Sequence, residues 1–289
     1  RSSDLACNKA LRSRFPGYVA QRYAYDGHYL YVTLYQTGEN SYVVESGYSC
    51  DSGDALGGTL IRYSLDEDEK IVEYCEVTPF KNTIEKSSEE ERKYLDYGLS
   101  GISTCSSQPG LVVCTTICRM REGKDTDCIY LSLDYGETWK VVLCDLEIGH
   151  LKFNAPYMKP EYNGQRSILH WMSDIKINPF NPNEIWMNSG TGVFCSENLL
   201  DQEPLFMDQC QGLEETVHLN LYSPHKGKVQ LIDILGDLGG FAFTHLDKPC
   251  ENSFADKEGN RYITCINADY SDEHPEFVVV TPRGNWTGK

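Results

Sequence analysis

The chain has 289 residues, 40% hydrophobic and 24% charged, with 43 acidic against 26 basic side chains and a formal net charge of −17. That composition excludes a chain that is mainly disordered, and the negative charge repels phosphate backbones and anionic lipid, so neither nucleic acid nor a membrane surface is an expected partner. A neutral ligand such as a sugar polymer meets no such repulsion, and 4 Trp, 19 Tyr and 10 Phe are available to line its groove.

Alternating or wholly apolar runs of strand length follow one another along the chain: YLYVTLY from 29, TLIRYSL from 59, KIVEYCEV from 70, GLVVCTTI from 110, CIYLSL from 128 and WKVVLC from 139. The series continues with DIKINPF from 174, EIWMNSG from 184, GVFCSEN from 192, VQLIDIL from 229, GGFAFTHL from 239, RYITCI from 261 and EFVVVT from 276. Clusters of Gly, Asn, Asp, Ser and Pro separate them, so each run reads as a strand bounded by turns. Only Ser87–Leu95 (SSEEERKYL) and a short piece at Asn198–Leu200 read as helical. The predicted class is all-β.

Twelve cysteines are scattered along the chain without a CxxC pair, which argues against zinc and for disulfides made in an oxidising, extracellular compartment. No metal or cofactor is expected. Cys118 and Cys128 flank a polar turn, REGKDTD, between two strand-like runs, and the expected bridge joins them. Buried free thiols are the alternative. Asn285, in Asn-Trp-Thr, fits an N-glycosylation acceptor.

Laying LIRYSLDEDEKIVEY, CIYLSLDYGETWKVV, GVFCSENLLDQEPLF and GFAFTHLDKPCENSF beside one another reveals a repeat. Ser64, Ser132 and Ser196 head the first three turns, at steps of 68 and 64 residues. Periods of this size with several short strands per unit point to propeller blades. The second copy is the sharpest: Ser132, Asp134, Gly136, Thr138 and Trp139 form the Asp-box pattern Ser-x-Asp-x-Gly-x-Thr-Trp. Its mechanics are structural, because Ser132 and Asp134 can hold backbone N–H groups, Gly136 permits a positive φ, and Trp139 can pack on a neighbouring strand. It identifies blades of the sialidase type and does not mark a catalytic centre.

Three further stretches carry a more specific resemblance: WMSDIKINPFNPNEIWMNSGTGVFCSENL from Trp171, GLEET at 212–216 followed by ILGDLGGFAFTHLDKP at 234–249, and NADYSDEHPEFVVVTPRG at 267–284. In order and spacing they resemble the middle portion of glycoside hydrolase family 74. The resemblance implies two facing propellers, with residues 1–232 as blades of a first, seven-bladed one and 233–289 as the start of a second. It also implies endo-acting, inverting hydrolysis of xyloglucan or a related β-1,4-glucan, by a secreted enzyme. Asp237 matches the family's general acid in its Gly-Asp-Ile-Gly-Gly segment. Read from the residues alone, a carboxylate among glycines, with Leu238 and Phe241 beside it, suits a proton donor; an Asp-Gly-type turn that merely ends a strand is the competing reading.

The family's base, within Arg-Thr-Asp-Ile-Gly-Gly, has no counterpart here. The Gly53–Gly58 stretch aligns as a mid-propeller blade, so the general base is expected outside this chain, on further polypeptide that completes the propellers. Candidate glycan contacts are Trp171, Tyr157, Tyr162, Gly239 and Gly240, although each aromatic equally suits a packing role. A non-catalytic carbohydrate-binding or sorting-receptor-like Asp-box propeller is the alternative function.

Overall fold

The computed structural model describes residues 13–15, 17–37, 43–44, 47–48, 55–80, 98–117, 119–121, 124–125, 127–144, 150–158, 168–213, 216–250, 253–274 and 277–285. The expected helix at Ser87–Leu95, and Asp54, Cys118 and Tyr162, lie outside them. The chain divides into two compact units, Arg1–Leu213 and Glu214–Lys289.

The first unit holds three successive antiparallel meanders. Strands β1 (Tyr18–Tyr25), β2 (Tyr29–Thr37), β5 (Ala55–Leu65) and β6 (Ile71–Glu76) form one sheet, with the two-residue strands β3 (Val43–Val44) and β4 (Gly47–Tyr48) as a small hairpin between β2 and β5. The second sheet comprises β7 (Leu99–Thr104), β8 (Val112–Thr116), β11 (Cys128–Ser132) and β12 (Lys140–Cys144), interrupted likewise by β9 (Met120–Arg121) and β10 (Lys124–Asp125). The third runs β14 (Ile175–Asn178), β15 (Asn181–Ser189), β16 (Gly192–Ser196) and β17 (Leu205–Asp208), and β13 (His150–Lys152) adds to β17 in parallel. The second unit contains β18 (Val217–Tyr222), β19 (Leu231–Gly236) and β20 (Gly239–Phe243) as one sheet, and the hairpin β21 (Cys265–Tyr270) and β22 (Val278–Pro282).

Alternation explains why the middle sheet reads as nearly continuous hydrophobic sequence. Val112, Cys114, Cys128 and Tyr130 point into one core shared with Tyr31 and Leu60 of the first sheet. Their neighbours Val113, Ile129 and Leu131 point into another, shared with Ile175, Ile185 and Phe194 of the third. A sheet covered on both faces needs apolar residues at every position, and propeller blades are stacked in that way. The fold is therefore all-β, with blade-like four-stranded meanders.

The repeat seen in the sequence occupies one structural position, the turn after the third strand of each meander, following β5, β11 and β16, and β20 ends in the same way. In the second copy Ser132 Oγ donates to Asp134 Oδ1 at 2.8 Å and accepts from Gly136 N at 2.8 Å. Asp134 also accepts from Thr138 N at 2.8 Å. Gly136 sits at φ +88°, and a Cβ there would come within 3.1 Å of Val77. Trp139 Nε1 donates to Gly136 O and to Val77 O, each at 2.9 Å, so the box pins the second meander to the first. In the third copy Asn198 replaces the aspartate: its Oδ1 takes the Ser196 hydroxyl and Leu205 N. Asn198–Leu200 is thus a box turn and not the short helix expected, because the Asn side chain supplies backbone hydrogen bonds that a helix would otherwise make.

The cysteine expectation is corrected. Cys128 is bridged to Cys144, not Cys118: the two are direct partners across β11 and β12, with Cα atoms 4.4 Å apart. Cys75, Cys105, Cys114, Cys195 and Cys265 carry no bridge. Most of these are buried and pack as small apolar side chains. Among the described residues no helix is long and apolar enough to cross a membrane.

Candidate active site

Strand β19 is buried throughout its middle: Ile232 and Ile234 enter the core of the second unit with Cys265 and Ala268, and Asp233 and Leu235 are buried on the other face. Two residues, Asp237 and Leu238, connect it to β20, with Leu235 pairing Gly239. The turn is tight. Leu238 N donates to Gly236 O at 2.7 Å across Asp237, which sits at φ +61°, and Gly240 N donates to Leu238 O at 2.9 Å across Gly239, at φ +74°. Each is a three-residue turn of the rare positive-φ form, a conformation that stores strain and that Asp tolerates better than most non-glycine residues.

Two bonds hold the turn in place: Asp237 N to Thr264 Oγ1 at 3.2 Å and Gly239 N to Ile263 O at 3.1 Å. The outcome is an exposed carboxylate at the end of a rigid hairpin. Leu238 is itself 42% exposed and Phe241 half-buried, so the carboxylate faces solvent rather than a closed apolar pocket.

Gly239 and Gly240 are buried, and protein takes up the space that their missing side chains leave. A Cβ on Gly239 would meet Tyr262 O at 3.0 Å, and one on Gly240, at φ +145°, would collide with Asp233 O. These glycines are needed to shape the hairpin.

Beside the turn lies a hydrogen-bonded chain that the sequence reading did not single out. Asp233 Oδ1 is 2.9 Å from His218 Nδ1, and His218 Nε2 is 2.8 Å from Thr216 Oγ1. The Asp233 side chain is 8% exposed and that of His218 51%. Strand β18 was not foreseen, although the polar/apolar alternation of Thr216, Val217, His218, Leu219 and Asn220 is the signal that puts Thr216 and His218 on one face.

Trp171 belongs to the first unit. Its backbone is at φ +51°, an outlier for so bulky a residue, and its indole is 55% exposed with the His170 ring 5.9 Å away. His170 in turn packs on Gly190, whose N–H donates to His170 O at 2.7 Å. The segment is anchored from below by Asp127, fully buried, whose carboxylate accepts from Met172 N, Arg119 N and the Thr116 hydroxyl. Tyr157 lies in the 3-10 turn Pro156–Met158, its side chain outside the described set. Asn285 is 7% exposed and its amide donates to Asp256 at 3.4 Å. Among the described residues no three His, Cys, Asp or Glu side chains converge as a metal site would require.

No family model matches the chain. Among curated proteins it is 28% identical over 240 residues to an oligoxyloglucan-reducing end-specific xyloglucanase of Emericella nidulans, covering 71% of this chain and 29% of that protein. A probable enzyme of the same description from Neosartorya fischeri is 26% identical over 239 residues, covering 71% and 28%. Among solved structures, the GH74 xyloglucanase of Xanthomonas campestris superposes with a TM-score of 0.53 at 23% identity, covering 91% of this chain and 32% of that one. The chain thus spans less than a third of the length of each of these proteins. It is similar in sequence to named xyloglucanases and shares the fold of a GH74 xyloglucanase structure.

Proposed function

We propose that this chain is part of an extracellular, endo-acting, inverting glycoside hydrolase that cleaves a β-1,4-glucan such as xyloglucan. The observation that carries the reading is the Asp237 hairpin, a strained turn that presents a carboxylate to solvent in a chain similar in sequence to named xyloglucanases. Asp237 acts as general acid and protonates the glycosidic oxygen as the bond breaks. A second carboxylate, roughly 6.5–9.5 Å away, activates water on the opposite face of the sugar. That base comes from further polypeptide, which also completes the propellers. Exposed Trp171 offers an aromatic platform for a neutral sugar, consistent with a chain of net charge −17 that would repel an anionic polymer.

The 289 residues alone are expected to show no turnover, and the assembled protein to release reducing ends from xyloglucan. Native mass spectrometry with a reducing-sugar assay tests this. A lone 32.8 kDa species that hydrolyses glucan at full rate refutes the completing-polypeptide model. The open setting of Asp237 favours one second reading, a carbohydrate-binding propeller without catalysis. Tight glucan binding by an inactive assembly identifies it.

A further inference from the structure

We propose that Thr216 and His218 form a subsite for sugar hydroxyls beside the Asp237 turn, with the buried Asp233 carboxylate as the residue that positions the imidazole. The inference rests on the glycan reading above and names residues of the same site.

Register places the pair. Val217 lies opposite Gly236 and His218 opposite Leu235, so the two side chains flank the end of the sheet where β19 turns through Asp237. From ordinary strand spacing the Cα atoms of His218 and Asp237 are on the order of 8 Å apart. One oligosaccharide can therefore span both.

Energetics then separates a built site from incidental packing. A carboxylate buried to the degree of Asp233 is costly unless hydrogen-bonded, and a well-packed apolar residue would serve stability as well or better. Here the carboxylate is directed at a ring that is half in water. In the neutral imidazole the bond to Asp233 assigns the proton to Nδ1, which leaves Nε2 to accept the Thr216 hydroxyl proton. Thr216 Oγ1 then keeps accepting capacity toward solvent. An uncharged acceptor on a fixed side chain, next to a partly exposed flat ring, suits the hydroxyls and apolar face of a neutral sugar.

The test uses the assembled protein and a xyloglucan oligosaccharide, with binding followed by calorimetry and melting temperature recorded for every variant. Thr216→Val and His218→Ala should each weaken binding about 3- to 10-fold, the worth of one neutral hydrogen bond. Thr216→Val keeps the side-chain shape, so it remains informative even where His218→Ala disturbs the strand. Asp233→Asn should move the His218 proton from Nδ1 to Nε2, visible in the imidazole nitrogen shifts, and weaken binding as well. Oligosaccharide binding that is unchanged in folded Thr216→Val and His218→Ala overturns the subsite and leaves the glycan reading standing. No binding by the unmodified protein overturns both.

Discussion

Replacing Trp139 by Phe tests the claim that the Asp box works as a clamp between meanders. The indole N–H is shared between Gly136 O and Val77 O at 2.9 Å each, and both Gly136 and Val77 are buried. Phe retains most of the ring contact with the core formed by the first two sheets but removes the only donor that the side chain has. Leaving a buried carbonyl without its partner costs about 1–3 kcal/mol, so a loss of about 2 kcal/mol is expected for this three-centre bond. For a cooperative unit of this size that lowers Tm by about 4–8 °C. Trp186→Phe is the control, because its Nε1 donates to Glu184 at an exposed site and its loss should stay within about 0.5 kcal/mol. Calorimetric melts of both variants decide. Equal shifts for the two, or no shift for Trp139→Phe, would refute the clamp.

Peptide mapping without reduction should recover Cys128 linked to Cys144, a bridge closing a 16-residue separation and worth about 3 kcal/mol; a Cys118–Cys128 peptide would contradict the assignment. In the native protein a thiol-alkylating reagent should label exposed Cys75 and spare Cys114, whose pKa burial pushes well up, and equal labelling would be inconsistent with the core described. Burial pulls the Asp134 pKa upward, but the hydrogen bonds from Thr138 and Ser132 outweigh it and hold the carboxyl below its ordinary value of 3.8. A depressed folded-state pKa stabilises above the unfolded value and loses that contribution as pH falls through the folded one. The stability difference between the unmodified protein and Asp134→Asn should therefore shrink below about pH 4; a constant difference from pH 7 to pH 2 would show that the ionised form contributes nothing. Gly240→Ala should speed hydrogen exchange at Ile232 and Ile234, since its Cβ would press on Asp233 O; unchanged protection would mean that the hairpin has room to spare.

What the sequence made legible follows from periodicity. Strands buried on both faces, such as β8 and β11, announce themselves as unbroken apolar runs, and the Asp box is legible because its turn needs particular side chains at fixed offsets. Strands β1, β7, β13, β17 and β18 were not among the runs singled out. Of these, β13 exists only by parallel pairing with β17, a tertiary event without local signature. Strand β18 does alternate, as Val217, His218, Leu219, Asn220 and Leu221, but the run was passed over, and its apolar residues are exposed rather than buried. The disulfide went astray because proximity in sequence suggested Cys118, whereas register across a hairpin sets Cys144 opposite Cys128. At the candidate site, Asp237 was singled out by the resemblance of its segment, and its place at φ +61° in a tight turn came only with the structure. The buried acids Asp127, Asp208 and Asp233 were not, because a single carboxylate that caps backbone N–H groups or fixes a histidine reads like any surface acid until its neighbours are placed.

For the role of Asp237 the most direct measurement is the rate at which the assembled protein releases reducing ends from xyloglucan, compared with its Asp237→Asn variant. Asn preserves the shape of the side chain and the strained turn but cannot donate the proton. The account predicts that glucan binding survives while the rate falls by ~10²–10⁴, the usual worth of general acid catalysis. Equal rates for the two proteins would contradict it.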